Sequence, residues 1–214
     1  MKLHTYFRSS AAFRVRIALN LKGLPFDAVP VHLLRDGGEQ HHAAYRALNP
    51  LGVVPVLQDS PLVLTQSLAI IEYLDETHPQ PALLPATPAE RARVRAIAQA
   101  IACDIHPVNN LRVLQYLKRT LGHTQDEVDT WYRHWVQLGL SAVEQLLAEH
   151  PQTGRFCHGD TPGLADCCLL PQVFNARRYH CSLDAMPTVQ RIAAACEALP
   201  AFVAALPANQ PDAE

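Results

Sequence analysis

The stretch Lys2-Leu3-His4-Thr5-Tyr6-Phe7-Arg8-Ser9-Ser10-Ala11-Ala12-Phe13-Arg14-Val15-Arg16-Ile17-Ala18-Leu19 carries two periods in succession. Leu3, Thr5 and Phe7 fall on one face of an alternating pattern, which predicts a strand over residues 2–7. Val15, Ala18, Leu19 and Lys22 then recur at helical spacing. Ser9 and Ser10 stand just before that run, where a side-chain oxygen can cap the first free amides of a helix. Gly23 closes the helix, and residues 26–33 read as a second strand. Two strands joined by a helix pair in parallel.

Further along, Leu48-Asn49-Pro50 breaks the chain ahead of a third strand over 53–57, interrupted by Pro55. Proline lacks an N–H, so Pro55 marks either a strand edge or a special bond. Asp59-Ser60-Pro61 makes a turn, 62–64 a short fourth strand, and 66–77 a helix with Leu68, Ile71 and Leu74-Asp75 at its period. The order β-α-β, then β-β-α, predicts a small mixed sheet with helices on its faces. Residues 79–88 hold four prolines and read as a linker. Beyond it the pattern is helical throughout. Helices are expected over 88–121, 125–150, about 164–176, 187–199 and 200–206, the second carrying Trp131, Trp135, Leu138, Val143 and Leu147. Domains 1–78 and 89–214 follow from this division.

Of the 214 residues, 49% are hydrophobic and 18% charged, a balance that builds a core and excludes intrinsic disorder. A formal net charge of −2 excludes a general electrostatic grip on nucleic acid. The cations are 15 Arg against 3 Lys. Arg offers a planar fork matched to carboxylates, although most arginines in any chain are solvated. The six cysteines form no CxxC, no leader pattern precedes the first strand, and no apolar run nears the ~18 residues of a membrane span. A soluble cytoplasmic protein is expected, with no nucleic-acid or membrane partner. His41-His42 are adjacent and point about 100° apart on a helix, so no metal site is expected.

Four local motifs resemble the zeta class of the glutathione transferases. Ser9-Ser10-Ala11-Ala12-Phe13-Arg14-Val15-Arg16-Ile17-Ala18-Leu19 is similar to its SSCxWRVRIAL signature. Val54-Pro55 resembles its cis-proline turn, and Gln66-Ser67-Leu68-Ala69-Ile70-Ile71-Glu72-Tyr73-Leu74 its glutathione-binding QSLAIIEYL. Gly159-Asp160-Thr161-Pro162-Gly163-Leu164-Ala165-Asp166 resembles its helical-domain cap. The fold implied is α/β plus all-α: a thioredoxin-like N-terminal domain followed by an all-helical glutathione transferase C-terminal domain. Two departures stand out. Ala11 replaces the cysteine of the signature, so no cysteine nucleophile is available there. Gly163 replaces the usual hydroxyl cap, while Asp166 can still supply the second half of a capping box.

The resemblance implies glutathione as cofactor and assigns roles residue by residue. Ser9, with Ser10 beside it, corresponds to the catalytic serine, which otherwise reads as a plain N-cap. A free thiol titrates near ~8.5, and lowering that by about two units is worth about 2.7 kcal/mol. A hydroxyl at a helix start can contribute to this, because both the donor and the dipole favour negative charge. Val54 and Pro55 correspond to the backbone contact for the cysteinyl part of glutathione, Gln66 and Ser67 to the γ-glutamyl end, and Gln40 to the glycyl end. His106, Asn109 and Asn110 correspond to the polar wall of the cofactor pocket, although His106 could also trade a proton. Arg8, Arg112 and Arg178 correspond to regions that the family brings to one crevice, where they suit a small dianionic diketo acid. Arg177 competes with Arg178 for that place.

The activity implied is glutathione-dependent cis–trans isomerisation of maleylpyruvate to fumarylpyruvate, a step of gentisate-type aromatic catabolism. Maleylacetoacetate is the alternative substrate. Conjugation of glutathione to electrophiles, and a non-catalytic glutathione-binding protein, are the rival readings. Relatives of this class are homodimers. The stripe Val94, Ile97, Ala98 and Ile101 on the helix after Pro88 is the expected interface, unless it packs within the domain.

Overall fold

The computed structural model describes residues 1–214, which divide into two compact units. The first comprises Met1–Leu83 together with Ala198–Glu214, the second Leu84–Glu197.

In the first unit, β1 (Lys2–Thr5), α1 (Ser10–Leu21) and β2 (Asp27–Pro30) form the expected crossover, with β1 and β2 parallel and Leu3 opposite Ala28. A short α2 (Ala43–Leu48) follows, then β3 (Val56–Asp59), β4 (Leu62–Thr65) and α3 (Ser67–Thr77). The sheet order is β2-β1-β3-β4, with β3 antiparallel to both neighbours. Strand β3 starts three residues later than the periodicity implies, because Pro55 has no N–H to give a ladder. Leu3 and Leu57 of the sheet, Phe13, Ile17 and Leu19 of α1, and Ile70, Ile71 and Leu74 of α3 are all buried, and α1 packs on α3.

Helix α1 is buried over the whole of Ala12–Leu19, including Arg14 and Arg16, so its periodicity marks one of several buried faces. One face packs on α3 and another on α10 (Pro200–Ala205). That second contact changes the expected domain division, in which 198–214 went with the helical half. The fully buried guanidinium of Arg16 donates through Nε and Nη2 to Ala205 O at 3.2 and 3.1 Å. Asn20 Nδ2 donates to Ala201 O at 2.9 Å, and Phe202 is fully buried.

The start of the proline-rich linker is also held in the first unit. Lys22 Nζ pairs with Asp75 at 2.8 Å and donates to the carbonyls of His78 and Pro81, each at 2.8 Å. Asp75 accepts from Leu83 N at 2.7 Å as well. A buried pair of this kind costs about 3–5 kcal/mol when one partner is removed, since the other charge is left uncompensated.

The second unit is all-helical. Helix α4 (Pro88–Gln99) runs through a wider π turn at Ala100–Ile105 into a single turn, α5 (His106–Val108). The expected continuous helix to 121 is interrupted there. Pro107 lacks a donor, and the Asn110 side chain accepts from Arg112 N, starting α6 (Leu111–Arg119) afresh. Helix α7 (Gln125–Ala148) opens on a capping box between Thr124 and Glu127. Helices α8 (Leu164–Arg178) and α9 (Pro187–Glu197) complete the unit. At the start of α8, Asp166 accepts from Gly163 N at 2.8 Å and from Cys157 N at 2.9 Å, so glycine at the cap is tolerated.

The stripe Val94, Ile97, Ala98 and Ile101 is buried within the second unit, where α4 packs on α8. It therefore serves the core of its own unit and offers no surface to a second chain. Cys157, Cys167, Cys168 and Cys196 are buried free thiols, and burial pushes the thiols of Cys157 and Cys167 up. No helix is long and apolar enough to cross a membrane.

Candidate active site

Ser9 sits at the N-cap of α1 in an extended conformation, after the Tyr6-Phe7-Arg8 segment that follows β1. Its Oγ accepts from Ala12 N at 3.2 Å, its N–H donates to Tyr6 O at 2.9 Å, and its carbonyl accepts from Phe13 N. A serine hydroxyl has one proton as well as two lone pairs. Capping therefore uses acceptor capacity and leaves the O–H able to donate to an anion at the helix start. Ser10 is different: it is 5% exposed, inside the first turn. Ala11 follows, half-buried.

The other cofactor residues expected in the first unit lie on loops at element ends. The Val54-Pro55 bond is cis and both residues are buried. The preceding loop is held by Val53 O, which accepts from Tyr45 Oη at 2.8 Å and Asn49 Nδ2 at 2.7 Å. Gln66 has φ +69°, a left-handed value uncommon for a residue other than glycine, and caps α3 without a side-chain bond. Ser67 begins the helix, and its buried Oγ accepts from Arg14 Nη1 at 3.2 Å. Its hydroxyl is thus oriented from within the protein. Arg14, 2% exposed, is a site residue that sequence reasoning missed. The available signal was that Arg14 and Arg16 lie two apart on one helix and point in nearly opposite directions, so a helix buried all round must bury both.

Gln40 is buried beside a tight loop. Its Nε2 donates to Leu33 O at 3.3 Å, while its Oε1 is buried and accepts no hydrogen bond within the protein. Gly38, at φ +102°, lies so close that a Cβ there would meet Gln40 Nε2 at 2.5 Å. A buried acceptor of this kind fits a ligand that brings an N–H. Arg8 is exposed in the turn that follows β1, its guanidinium 4.9 Å from the centre of the Phe7 ring.

In the second unit a pair of tyrosines links Asn109 to Arg178, while His106 and Asn110 face each other. Asn110 Nδ2 lies 3.3 Å from His106 Nε2, and Asn109 is buried against Tyr132 O at 3.5 Å. Trp131 Nε1 donates to Val108 O at 2.9 Å, fixing the short α5 turn to α7. Tyr132 stacks on Tyr179, ring centres 3.5 Å apart. Arg178 in turn lies over Tyr179, 5.0 Å from its centre, and donates to its Oη at 3.3 Å. Arg177 is engaged elsewhere, in an ion pair with Glu197. Arg178 thus has an aromatic neighbour where Arg177 has an acidic one. Arg112 is exposed in the first turn of α6. Burial pushes the Tyr132 hydroxyl up, so it stays protonated. Tyr132 was missed because an aromatic on a long helix reads as ordinary core, and Tyr179, just past the end of α8, carries no local signal.

Residues 8–77 match the family model for the glutathione S-transferase N-terminal domain. A probable maleylacetoacetate isomerase of Vibrio cholerae is 54% identical over 99% of this chain and 97% of its own length. The holo structure of a bacterial maleylpyruvate isomerase, a zeta-class glutathione S-transferase, is 48% identical and superposes with a TM-score of 0.97, each chain covered completely. Maleylacetoacetate isomerase of Methylobacterium extorquens, solved with bound malonate and glutathione, is 42% identical with a TM-score of 0.96, again over the whole of both chains.

Proposed function

This chain belongs to the glutathione S-transferase family, in its zeta class, and from that premise we propose that it is a glutathione-dependent cis–trans isomerase of maleylpyruvate, with maleylacetoacetate as the alternative substrate. The observation that carries the reading is Ser9 at the start of α1, its hydroxyl capping through the oxygen and able to donate through the proton. Full-length similarity to isomerases acting on two such acids narrows the reaction.

When bound, glutathione supplies a thiolate that adds to the conjugated cis double bond, which rotates once its π character is lost and is restored on elimination. Ser9 donates to the sulfur and holds it ionised. Ser10 fixes the first turn from inside. Gln40, Val54, Pro55, Gln66 and Ser67 hold the peptide of the cofactor, with His106, Asn109 and Asn110 as its polar wall. Arg8, Arg112 and Arg178 take the substrate's carboxylates, each such bond contributing about 1.5–3 kcal/mol where water is excluded. None of these three forms an ion pair with an acidic side chain within its unit, and Arg178 is pre-oriented on Tyr179.

The test is turnover of the two cis diketo acids, with and without glutathione. The reading expects isomerisation only with glutathione, faster on maleylpyruvate. Conversion that ignores glutathione would remove the thiolate, and faster conversion of maleylacetoacetate would exchange the substrate.

The protein is further proposed to act in the cytoplasm, as a homodimer. The exposed apolar side chains Leu51, Leu62 and Val63 of the first unit are surface suited to a second copy. Light scattering at micromolar concentration is expected to return twice the chain mass of 23.6 kDa, and a monomer mass would remove the dimer.

A further inference from the structure

We propose that Asp212 is a positioning residue for Ser9, holding the segment between β1 and α1 in the geometry that ionises the cofactor thiol. The proposal rests on the role given to Ser9 above. Asp212 Oδ2 accepts from Phe7 N at 2.9 Å. The carbonyl of the same residue accepts from Arg16 Nη2 at 3.1 Å. Both polar backbone groups of Phe7, two residues ahead of Ser9 and beyond the end of β1 at Thr5, are thereby fixed by groups outside the sheet.

The surrounding bonds form one network. Arg16 Nη1 donates to Thr5 Oγ1 at 3.0 Å and to Tyr6 O at 3.3 Å, and Tyr6 O also accepts from Ser9 N. Arg16 is in turn anchored on Ala205 O. A buried guanidinium needs a counter-charge, and Asp212 supplies it: burial pulls Arg16 down to about 10 while the Asp212 charge opposes that pull. Carboxylate oxygen to backbone N–H is a charge-assisted bond, stronger and shorter than a neutral one. Beyond it, Glu214 reaches Arg35 at 2.9 Å on the surface. Residues 205–214 therefore act as a strap over the strand end, and Asp212 is the member that touches the backbone leading to Ser9. No signal in the local sequence around Asp212 points to this role.

Displacing a reacting group by about 1 Å can cost on the order of 100-fold in rate. Three variants separate positioning from stability: Asp212→Ala, Asp212→Asn and, as a control, Asn20→Ala, which removes only the bond to Ala201 O. The readouts are the ultraviolet titration of bound glutathione thiolate, amide exchange at Phe7 and Ser9 without glutathione, and the pH profile of turnover. Asp212→Ala is expected to raise the bound thiol's pKa by about half a unit or more, to speed exchange at Phe7, and to lower kcat roughly 10–100-fold. Asp212→Asn keeps an acceptor for Phe7 N but loses the charge that faces Arg16, and is expected to recover only part of the loss. Asn20→Ala is expected to lower Tm and leave the thiol titration where it was. A wild-type thiol pKa retained in Asp212→Ala, with only Tm lowered, would overturn the proposal while sparing the role of Ser9. A wild-type protein that binds glutathione without lowering its thiol would overturn both.

Discussion

Ser9→Ala is expected to lower turnover by roughly 10–1000-fold, the effect of removing one donor aimed at developing negative charge. The loss converts to about 1.4–4 kcal/mol of barrier. The sign of the pH effect follows from the same donor. A hydroxyl that binds the thiolate lowers the thiol's pKa, so its removal raises that pKa and moves the rising limb of the rate profile to higher pH. Loss of the Ala12 N–H bond alone would cost about 1 kcal/mol of stability and leave the profile unmoved. Ser9→Asp separates the two roles. Aspartate is a good N-cap, so stability is expected to hold, yet its charge opposes a thiolate and activity is expected to collapse. Near-wild-type turnover of Ser9→Ala across the pH range would leave Ser9 as a cap and nothing more.

Neutralising Arg8, Arg112 or Arg178 is expected to weaken kcat/KM for the dianionic acid by about 2–4 kcal/mol where the contact is desolvated. Conjugation of an uncharged electrophile is expected to change little in the same variants. Arg178→Gln is the most informative of the three, since it removes the guanidinium that rests on Tyr179 and leaves a neutral polar side chain. Arg177→Gln is the internal control, because its charge is already committed to Glu197. Equal losses on both substrates would point to damaged glutathione binding and would remove the carboxylate clamp.

Much of this architecture is legible in local sequence because local rules produce it. The run from β1 into α1 reads from a change of period and a serine at the junction, although β1 ends at Thr5, two residues before the expected end. The capping box at Thr124 and Glu127 and the acidic partner of Gly163 obey the same short-range logic. What stays hidden depends on partners distant in the chain. The pattern of residues 200–206 reports a helix and says nothing of its seat on α1, which Arg16 and Asn20 decide. Arg14 and Arg16 read as surface charge, since arginine is usually exposed, and both are buried. The stripe Val94 to Ile101 correctly announces a buried face, but an apolar face does not name what covers it. Ser67 illustrates the limit at the candidate site. Its position at a helix start is legible, whereas its hydrogen bond from Arg14 joins residues 53 apart.

The central claim is that glutathione is a cofactor of isomerisation and is not consumed. The most direct measurement follows free thiol and the two geometric isomers together, by thiol titration and proton NMR, over many turnovers of the cis diketo acid. Complete conversion to the trans acid is expected, with the thiol titre unchanged. One thiol lost for each molecule of cis acid consumed, with no trans acid appearing, would make the protein a conjugating transferase and contradict it.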